Sequence, residues 1–469
     1  MSEPRENRWL LWLVAIGFFM QTLDSTIVNT ALPSMAAHLG ESPLRMQSVV
    51  ISYMLTVALL MPASGWLADR FGTRRVFLAA IILFTIGSLA CAQSQNLWQL
   101  VVARVIQGVG GAMLLPVGRL AVLRAFPREQ FLAAMSFVTI PGLVGPLIGP
   151  TLGGWLVVYA SWHWIFLINL PIGILGAIAT ARFMPAFFGA ERQRFDIYGY
   201  LLLAFAMVTI SVSLDGLAEL GLKTVVVTLL LIAGLAAICV YVLHAGSSAR
   251  PLFSLTLFHV RTYTIGVWGN LFARIGAGAV PFLIPLMLQV SLGFTPLEAG
   301  LMMLPTAIAG LTAKSWVSPL IQRFGYRQVL VVNTFLTGLM ITSFALFSPQ
   351  EPLWLRIVQL ALFGAVNSIQ FTAMNTLALK DLETAQASEG NGLLSMIMQL
   401  SMSLGVAAAG AMLGAFSDYF GHAEAGTALS AFQVTFACVG VITAISAWIF
   451  WQLDPNDREC SEAGHVELE

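Results

Sequence analysis

Long apolar runs separated by short polar segments dominate this chain. A helix needs about 20 mostly apolar residues to cross a membrane, because lipid offers no hydrogen-bond partner to an unpaired backbone group. Fourteen runs of this kind predict fourteen membrane-spanning helices, called spans 1 to 14, with these approximate bounds: 9–33, 47–68, 76–94, 97–122, 133–157, 163–184, 197–216, 223–243, 263–290, 297–321, 329–348, 354–379, 391–416 and 428–451. Span 1 exceeds the roughly 7–15-residue core of a signal peptide and no small-residue cleavage site follows it, so we expect it to stay in the mature protein.

The basic residues fall mainly on one side of the predicted membrane. Of the 23 Lys and Arg residues, sixteen lie in segments on the side of the N-terminus, three lie on the opposite side and four lie inside spans. We call the first side the basic side and the opposite one the far side. An excess of Lys and Arg is typical of cytoplasmic loops, so both termini are predicted to be cytoplasmic.

Composition excludes several classes of protein. The 469 residues are 58% hydrophobic and 10% charged, whereas soluble domains have roughly 45–50% apolar and about 25% charged residues. A soluble enzyme, a disordered chain and a nucleic-acid binder are therefore poor interpretations, and the net charge of zero removes any general attraction to a polyanion. The lipid bilayer is the predicted environment. The scattered histidines and cysteines show no metal-ligand spacing, so no metal site is predicted.

A sequence repeat divides the chain into two related parts. The motif Arg-Phe-Gly-x-Arg occurs in Gly65–Arg75, between spans 2 and 3, and again in Ser318–Gln328, between spans 10 and 11. Equivalent positions for these turns require two six-span halves with spans 7 and 8 inserted between them. The predicted domains are 1–196, the N-terminal six-helix bundle; 197–250, the inserted pair; 251–455, the C-terminal six-helix bundle; and 456–469, a cytoplasmic tail. Two related halves around a central site are typical of secondary transporters.

The chain resembles the major facilitator superfamily, and within it the fourteen-span drug:proton antiporters, including multidrug-resistance proteins of Gram-negative bacteria. Four motifs carry the resemblance, and they lie at Gly65–Arg75, Leu23–Pro33 in span 1, Arg104–Gly110 in span 4 and Gly145–Gly154 in span 5. The second-half turn departs from the family pattern, with Ser318 in place of the first glycine and Gln322 in place of the acid. This departure argues against an equivalent gate in the second half.

The resemblance implies an all-α major facilitator fold of fourteen helices in the bacterial inner membrane. It also implies a monomer that is not an enzyme and exports small amphipathic compounds by alternating access, in exchange for protons. The proton gradient would supply the energy without any cofactor, and no nucleotide-binding fingerprint occurs in the sequence. Two alternatives remain: a proton-coupled exporter of a specific metabolite such as an organic anion, and a membrane sensor that does not transport.

Asp24 is the candidate proton carrier. It is the one acidic residue well inside an apolar span, and a carboxylate in that position usually faces a cavity or a partner. Burial of a carboxyl group favours its protonated form, whereas a nearby cation favours its ionised form. The balance of the two effects can therefore tune such a site to bind and release protons. Arg104 in span 4 lies at a similar depth and is the candidate partner, and the resemblance implicates it in proton coupling. A structural acid and a helix-packing arginine are the alternative interpretations.

The candidate gate residues form two groups. In the basic-side turn, Gly65, Asp69, Arg70, Gly72 and Arg74 can form charge pairs that break as the transporter opens, although topology anchoring by the arginines is the simpler alternative. In span 5, small residues every four positions offer one smooth helix face to a neighbouring backbone, and prolines between them are expected to bend the helix. The members of this second group are Gly145, Gly149, Pro150, Gly153 and Gly154.

Polar residues inside the spans are candidates for the substrate cavity: Gln21, Asn29, Gln107, Asn270 and Arg274. Arg274 lies near the middle of span 9 and cannot easily reach the surface. A cavity with one acid and two or three cations would favour neutral, zwitterionic or anionic substrates over cationic drugs.

Overall fold

The computed structural model describes residues 4–189, 195–218, 224–420 and 425–455, and every regular element in these ranges is helical. The first part contains α1 (Pro4–Ile27), α2 (Leu32–Leu39), α3 (Gln47–Phe71), α4 (Thr73–Ala92), α5 (Leu97–Ala125), α6 (Arg128–Tyr159), α7 (Trp164–Leu167) and α8 (Asn169–Phe183). The middle part contains α9 (Ile197–Ala218) and α10 (Thr224–Ser247). The last part contains α11 (Arg261–Val290), α12 (Pro296–Met302), α13 (Leu304–Ala313), α14 (Val317–Ser343), α15 (Leu353–Lys380), α16 (Thr384–Phe420), α17 (Ala425–Ile445) and α18 (Ala447–Trp451). The predicted tail 456–469 lies outside the described residues.

Fourteen crossings are present in the described part of the chain. Thirteen apolar helical stretches are long enough to cross a membrane, and one of them, Pro296–Leu346, has 51 residues and crosses twice. The chain reverses at Gly325, where the backbone leaves helical geometry within α14 (φ 79°, ψ 161°). The predicted all-α fold with fourteen spans is therefore confirmed.

Span 1 is not one continuous helix, as its apolar run had suggested. It is divided into α1 and α2 by a turn at residues 28–31. Pro33 is the second residue of α2, a position in the first turn of a helix where a backbone N–H would have no partner within the helix. The turn places Asn29 and Thr30 at the far-side end of the crossing.

Close helix packing within the first bundle depends on small residues. A Cβ atom on Gly87 of α4 would lie 2.5 Å from the Gln107 backbone of α5. On Gly110 of α5, a Cβ atom would lie 2.5 Å from the Ala80 carbonyl oxygen of α4. These contacts leave no room for a side chain, so α4 and α5 touch backbone to backbone.

The inserted helices α9 and α10 are fastened to the rest of the protein at the basic side. The Asp196 carboxylate accepts hydrogen bonds from the Gly199 backbone at the start of α9, from His244 Nε2 of α10 at 2.9 Å and from the Leu252 backbone at 3.0 Å. The inserted pair also packs against both bundles, because α9 contacts α3 and α16.

The two bundles meet mainly at the far side. A Cβ atom on Gly154 of α6 would lie 2.7 Å from the Pro296 carbonyl carbon of α12, and one on Gly300 of α12 would lie 2.8 Å from the Pro150 carbonyl carbon of α6. Gln289 Nε2 of α11 donates to the Thr30 carbonyl at 2.9 Å. Towards the basic side, by contrast, Gly65 of α3 is exposed and a Cβ atom there would meet nothing within 4 Å. The described bundles thus touch each other at the far side, whereas Gly65 has open space beside it.

The turn after α3 supplies a stability test. Gly72 has φ 89° and ψ 143°, close to the conformation of Gly325 in the second-half turn, and this region is open essentially to glycine alone. A Cβ atom at Gly72 would also lie 3.0 Å from the Phe188 ring. We expect Gly72→Ala to lower the free energy of unfolding by about 1–3 kcal/mol, measured by thermal unfolding in detergent. Gly246→Ala is the control, because its Cβ would enter open space; equal effects would contradict the interpretation.

Candidate functional site

A buried ion pair lies inside the first bundle. Asp24 of α1 is fully buried and Arg104 of α5 is 1% exposed. Arg104 Nη1 lies 2.6 Å from Asp24 Oδ2. The equal depths expected from the sequence therefore correspond to direct contact in the structure.

Amide side chains complete the surroundings of the Asp24 carboxylate. Gln107 Nε2, one turn along α5 from Arg104, donates to Asp24 Oδ1 at 2.8 Å. Asn169 Nδ2, at the start of α8, reaches the same oxygen at 3.4 Å. Ser88 Oγ of α4 accepts from Gln107 at 2.8 Å and from Asn169 at 3.3 Å. The close approach of α4 to α5 at Gly87 brings Ser88 within reach of Gln107.

Arg104 is held by three other groups besides the carboxylate. Its Nη1 donates to Gln107 Oε1 at 2.6 Å, and its Nε donates to the Val49 carbonyl of α3 at 3.2 Å. The guanidinium carbon lies 4.2 Å from the centre of the Tyr53 ring, a cation–π contact. A charged arginine in apolar surroundings is stable only with partners of this kind.

The cluster is built for an ionised carboxylate. Within the described structure Asp24 accepts three hydrogen bonds from N–H donors, and one of these donors is cationic. Addition of a proton to Asp24 would remove the charge that Arg104 balances and would weaken these bonds. Because α1, α4, α5 and α8 all contribute side chains to the cluster, its hydrogen bonds join four helices.

The glycine face predicted in span 5 packs against α1 beside Asp24. A Cβ atom on Gly145 would lie 2.7 Å from the Leu23 backbone nitrogen, and one on Gly153 would lie 2.5 Å from the Ile27 carbonyl oxygen. Gly149 faces the Thr26 side chain. Gly154 and Pro150 instead meet α12 of the other bundle. The same helix, α6, therefore contacts both α1, which carries Asp24, and the far-side closure, and it remains continuous through its prolines.

The basic-side turn is tied to its own bundle. The Asp69 carboxylate pairs with Arg124 at the end of α5, and the Asp69 carbonyl accepts from the Gly189 backbone at 3.1 Å. Arg70 lies over the Trp66 ring at 5.3 Å, and Arg74 is exposed. The ion pair between Asp69 and Arg124 thus lies within one bundle in this conformation, and it does not connect the two halves.

A second polar site lies in the C-terminal bundle. Arg274 of α11 is 7% exposed, and its Nη2 donates to Asn270 Oδ1 at 3.1 Å. Its guanidinium carbon lies 4.1 Å from the centre of the Phe371 ring of α15. The structure therefore joins two of the predicted cavity residues, Asn270 and Arg274, at one place.

The remaining cavity candidates are not brought into either site by hydrogen bonds. Gln21 and Asn29 are buried, and their amide oxygens have no partner among the described residues. Gln107 belongs to the Asp24 cluster. Sequence reasoning missed Ser88 and Asn169, although each is a polar residue in an otherwise apolar run, which is a usable signal. It also missed Phe371, which no sequence pattern distinguishes from lipid-facing aromatics.

The family is decided by comparison with known proteins. The model of the Major Facilitator Superfamily matches residues 14–406, and a second match covers 266–466. The chain belongs to the major facilitator superfamily. This major facilitator protein is accordingly a transporter and not an enzyme, and it is a multi-pass protein of the bacterial inner membrane.

Its relatives match over nearly their whole length. Proteins named multidrug resistance protein MdtD are similar to it, with 56% identity in Pectobacterium atrosepticum over 89% of each chain. The corresponding protein of Salmonella heidelberg is 52% identical over 98% of this chain and 97% of its own. These relatives confirm the resemblance inferred from the four sequence motifs.

Solved structures share the fold. A bacterial homologue of the human lysosomal transporter Spinster covers 98% of this chain and 99% of its own with a TM-score of 0.72 and 14% identity. A POT family transporter solved with 5-aminolevulinic acid covers 96% of both chains with a TM-score of 0.70 and 17% identity. At these identities the likeness extends to the fold alone.

The buried ion pair predicts strong coupling between its members. We expect Arg104→Gln or Asp24→Asn alone to lower the free energy of unfolding by about 3–5 kcal/mol, because each leaves a buried charge uncompensated, and the double variant to recover part of this loss. A double-mutant cycle on unfolding in detergent measures the coupling. Additive effects would contradict it.

The control for this cycle is the pair Glu41–Arg45. Its atoms are equally close, at 2.6 Å, but its side chains are 23% and 37% exposed. Exposed pairs contribute about 0–1 kcal/mol, so its coupling should be small.

Proposed function

We propose that this protein is a proton-coupled antiporter that exports small amphipathic compounds from the cytoplasm, as in multidrug efflux. The observation that carries the proposal is the Asp24–Arg104 pair, a buried carboxylate in the membrane interior of a major facilitator protein. The names of the MdtD relatives support the multidrug class of substrate. The excess of Lys and Arg on the basic side supports the assignment of that side to the cytoplasm.

Asp24 takes up the proton in this mechanism. When Asp24 is ionised, Arg104, Gln107 and Asn169 all donate to it, and the cluster is compact. Protonation cancels the charge, so Arg104 is left with Val49 and Gln107 as acceptors and the hold of α5 on α1 weakens. The proton thereby changes the relative stability of two arrangements of the same helices, which is the requirement for coupling.

The different contacts at the two ends of the bundles support a mechanism of alternating access. The far side is closed by backbone contacts of Gly154 and Gly300 and by the Gln289–Thr30 hydrogen bond. Towards the basic side, a Cβ atom added at Gly65 would meet no atom within 4 Å. In the described conformation the substrate path therefore opens to the basic side. Rigid-body rocking of one bundle against the other would separate the far-side contacts and bring Gly65 to the opposite bundle.

The inserted helix α9 supports the far-side closure. Asp215 of α9 accepts a hydrogen bond from Gln47 Nε2 of α3 at 2.7 Å. The amide oxygen of the same Gln47 occupies the place where a Cβ atom on Gly410 of α16 would stand. Gln47 thus occupies the space left by the absent side chain of Gly410 in the other bundle, and its hydrogen bond to Asp215 of α9 fixes its orientation. The inserted pair has a mechanical role in this account, besides filling membrane space.

Export of a specific organic anion is the second candidate function. The observation that favours it is Arg274, a buried cation for which no acidic partner lies in the described part of the chain.

Substitution of Asp24 tests the proton-coupling claim. In proteoliposomes, we expect Asp24→Asn to lose substrate accumulation driven by a pH gradient while substrate exchange without a gradient continues, because the site can no longer change charge. Fluorescent dye uptake and counterflow of the same dye measure the two activities. Glu41→Gln, which removes a carboxylate from the far-side surface, is the control and should retain both. Gradient-driven uptake by Asp24→Asn would refute the assignment.

A cross-link tests alternating access. Gln289 Nε2 of α11 donates to the Thr30 carbonyl at 2.9 Å, so these two residues face each other across the far-side contact. We expect the pair Thr30→Cys and Gln289→Cys, with the four native cysteines replaced by serine, to be joined by a short thiol-reactive cross-linker of the bis-methanethiosulfonate type, which stops transport until a reductant is added.

Each single cysteine variant is the control and should transport with or without the cross-linker. Full transport by the cross-linked protein would show that the far side does not have to open.

A further inference from the structure

Arg274 stands at the middle of its crossing. It lies thirteen residues after Arg261, where α11 begins, and sixteen before Val290, where α11 ends. At 1.5 Å per residue, these separations correspond to about 20 and 24 Å. The long arginine side chain therefore cannot bring its charge to either membrane surface.

The guanidinium group of Arg274 is largely unpaired. A guanidinium has five N–H donors, and the structure gives one hydrogen bond, from Nη2 to Asn270. Its Nε is buried without a partner, and no ion pair to it occurs in the described ranges. The other two buried arginines differ, since Arg104 pairs with Asp24 and Arg356 lies 3.5 Å from Glu351.

An aromatic ring supports one face of this cation. Phe371 makes a cation–π contact with Arg274, with 4.1 Å between its ring centre and the Arg274 guanidinium carbon. Phe371 is 36% exposed, whereas Phe363 on the same helix is 2% exposed. One turn along α15, Asn375 has a buried amide oxygen that lacks a partner within the described structure. The ring of Phe371 and the cation of Arg274 thus lie together, and Asn375 follows one turn along the helix that carries the ring.

The net charge of the buried side chains favours a negatively charged ligand over a positively charged one. Asp24 and Arg104 neutralise each other, so Arg274 contributes an unbalanced positive charge to the described interior of the two bundles. A buried arginine without a partner is costly in apolar surroundings. An anionic ligand would lower that cost, and a cationic ligand would raise it.

We propose that Arg274, Asn270 and Phe371 form the binding site for the acidic group of an amphipathic organic anion. A carboxylate accepts hydrogen bonds from the free edge of the guanidinium, including Nε, since arginine presents a planar fork that fits such groups. The apolar part of the ligand packs against the exposed part of Phe371. This inference rests on the proposed transport function and names the class of cargo.

Binding to the purified protein gives the first test. The probes are 2-naphthoate, its neutral amide 2-naphthamide, and 2-naphthyltrimethylammonium, which share a ring and differ in charge. A ligand that binds the folded state raises the unfolding temperature. We expect 2-naphthoate to raise it in the wild type, 2-naphthamide to have a smaller effect and the cation to have none.

Variants identify the groups responsible. Arg274→Met should abolish the naphthoate effect and, because it removes an unpaired buried charge, raise the unfolding temperature of the ligand-free protein. Arg274→Lys should retain part of the naphthoate effect, and Phe371→Leu should weaken binding of both naphthoate and naphthamide. An Arg274→Met protein that is less stable than the wild type and still stabilised by naphthoate would overturn the proposal, since Arg274 would then be a packing residue.

Transport assays separate the failure of this inference from the failure of the proposed function. Proton-driven export of the neutral or cationic probe, with no transport or binding of naphthoate, would refute the anion site and leave the antiporter intact. Naphthoate binding that depends on Arg274 without proton-driven transport of any probe would retain the site and refute the antiporter. Export of naphthoate that is lost in Arg274→Met and in Asp24→Asn would support both.

Discussion

The absence of hydrogen-bonding solvent in the membrane interior is the constraint on which this structure depends. Each polar side chain placed there must find a partner within the protein or remain at a cost. Asp24 meets this requirement with donors from Arg104, Gln107 and Asn169, so one carboxylate links several helices of the first bundle. Arg274 meets it only in part, through Asn270 and Phe371. The first arrangement is suited to respond to a proton, and the second to receive a ligand.

Small residues place α6 in direct contact with both α1 and α12. Gly145 and Gly153 let α6 lie directly on the backbone of α1 next to Asp24, while Gly154, on the same helix, lies directly on α12 of the other bundle. In the proposed mechanism, a rearrangement of α1 after protonation reaches the far-side closure through one continuous helix. Gln47, seated at Gly410 and held by Asp215, adds the inserted helix α9 to the same closure.

The sequence was informative where one physical rule acts alone. Hydrophobic length predicted all fourteen crossings, and equal depth in the membrane indicated the partnership of Asp24 and Arg104. It was less informative where the result depends on the rotation of helices about their axes. Ser88 and Asn169 join the Asp24 cluster only because α4 and α8 turn those faces inward, and Asp69 pairs with Arg124 rather than with a residue of the other bundle. Pro33 alone did not predict the break in span 1, because other prolines, such as Pro62 and Pro116, lie inside continuous helices.

The central claim is that Asp24 is the group that gains and loses the transported proton. Infrared difference spectroscopy of the purified protein between neutral and acidic pH tests it most directly, because a protonated carboxyl group gives a carbonyl stretching band that a carboxylate lacks. The account predicts a band from a buried carboxylic acid that disappears in Asp24→Asn and persists in Asp215→Asn. A spectrum that is unchanged by Asp24→Asn would contradict it.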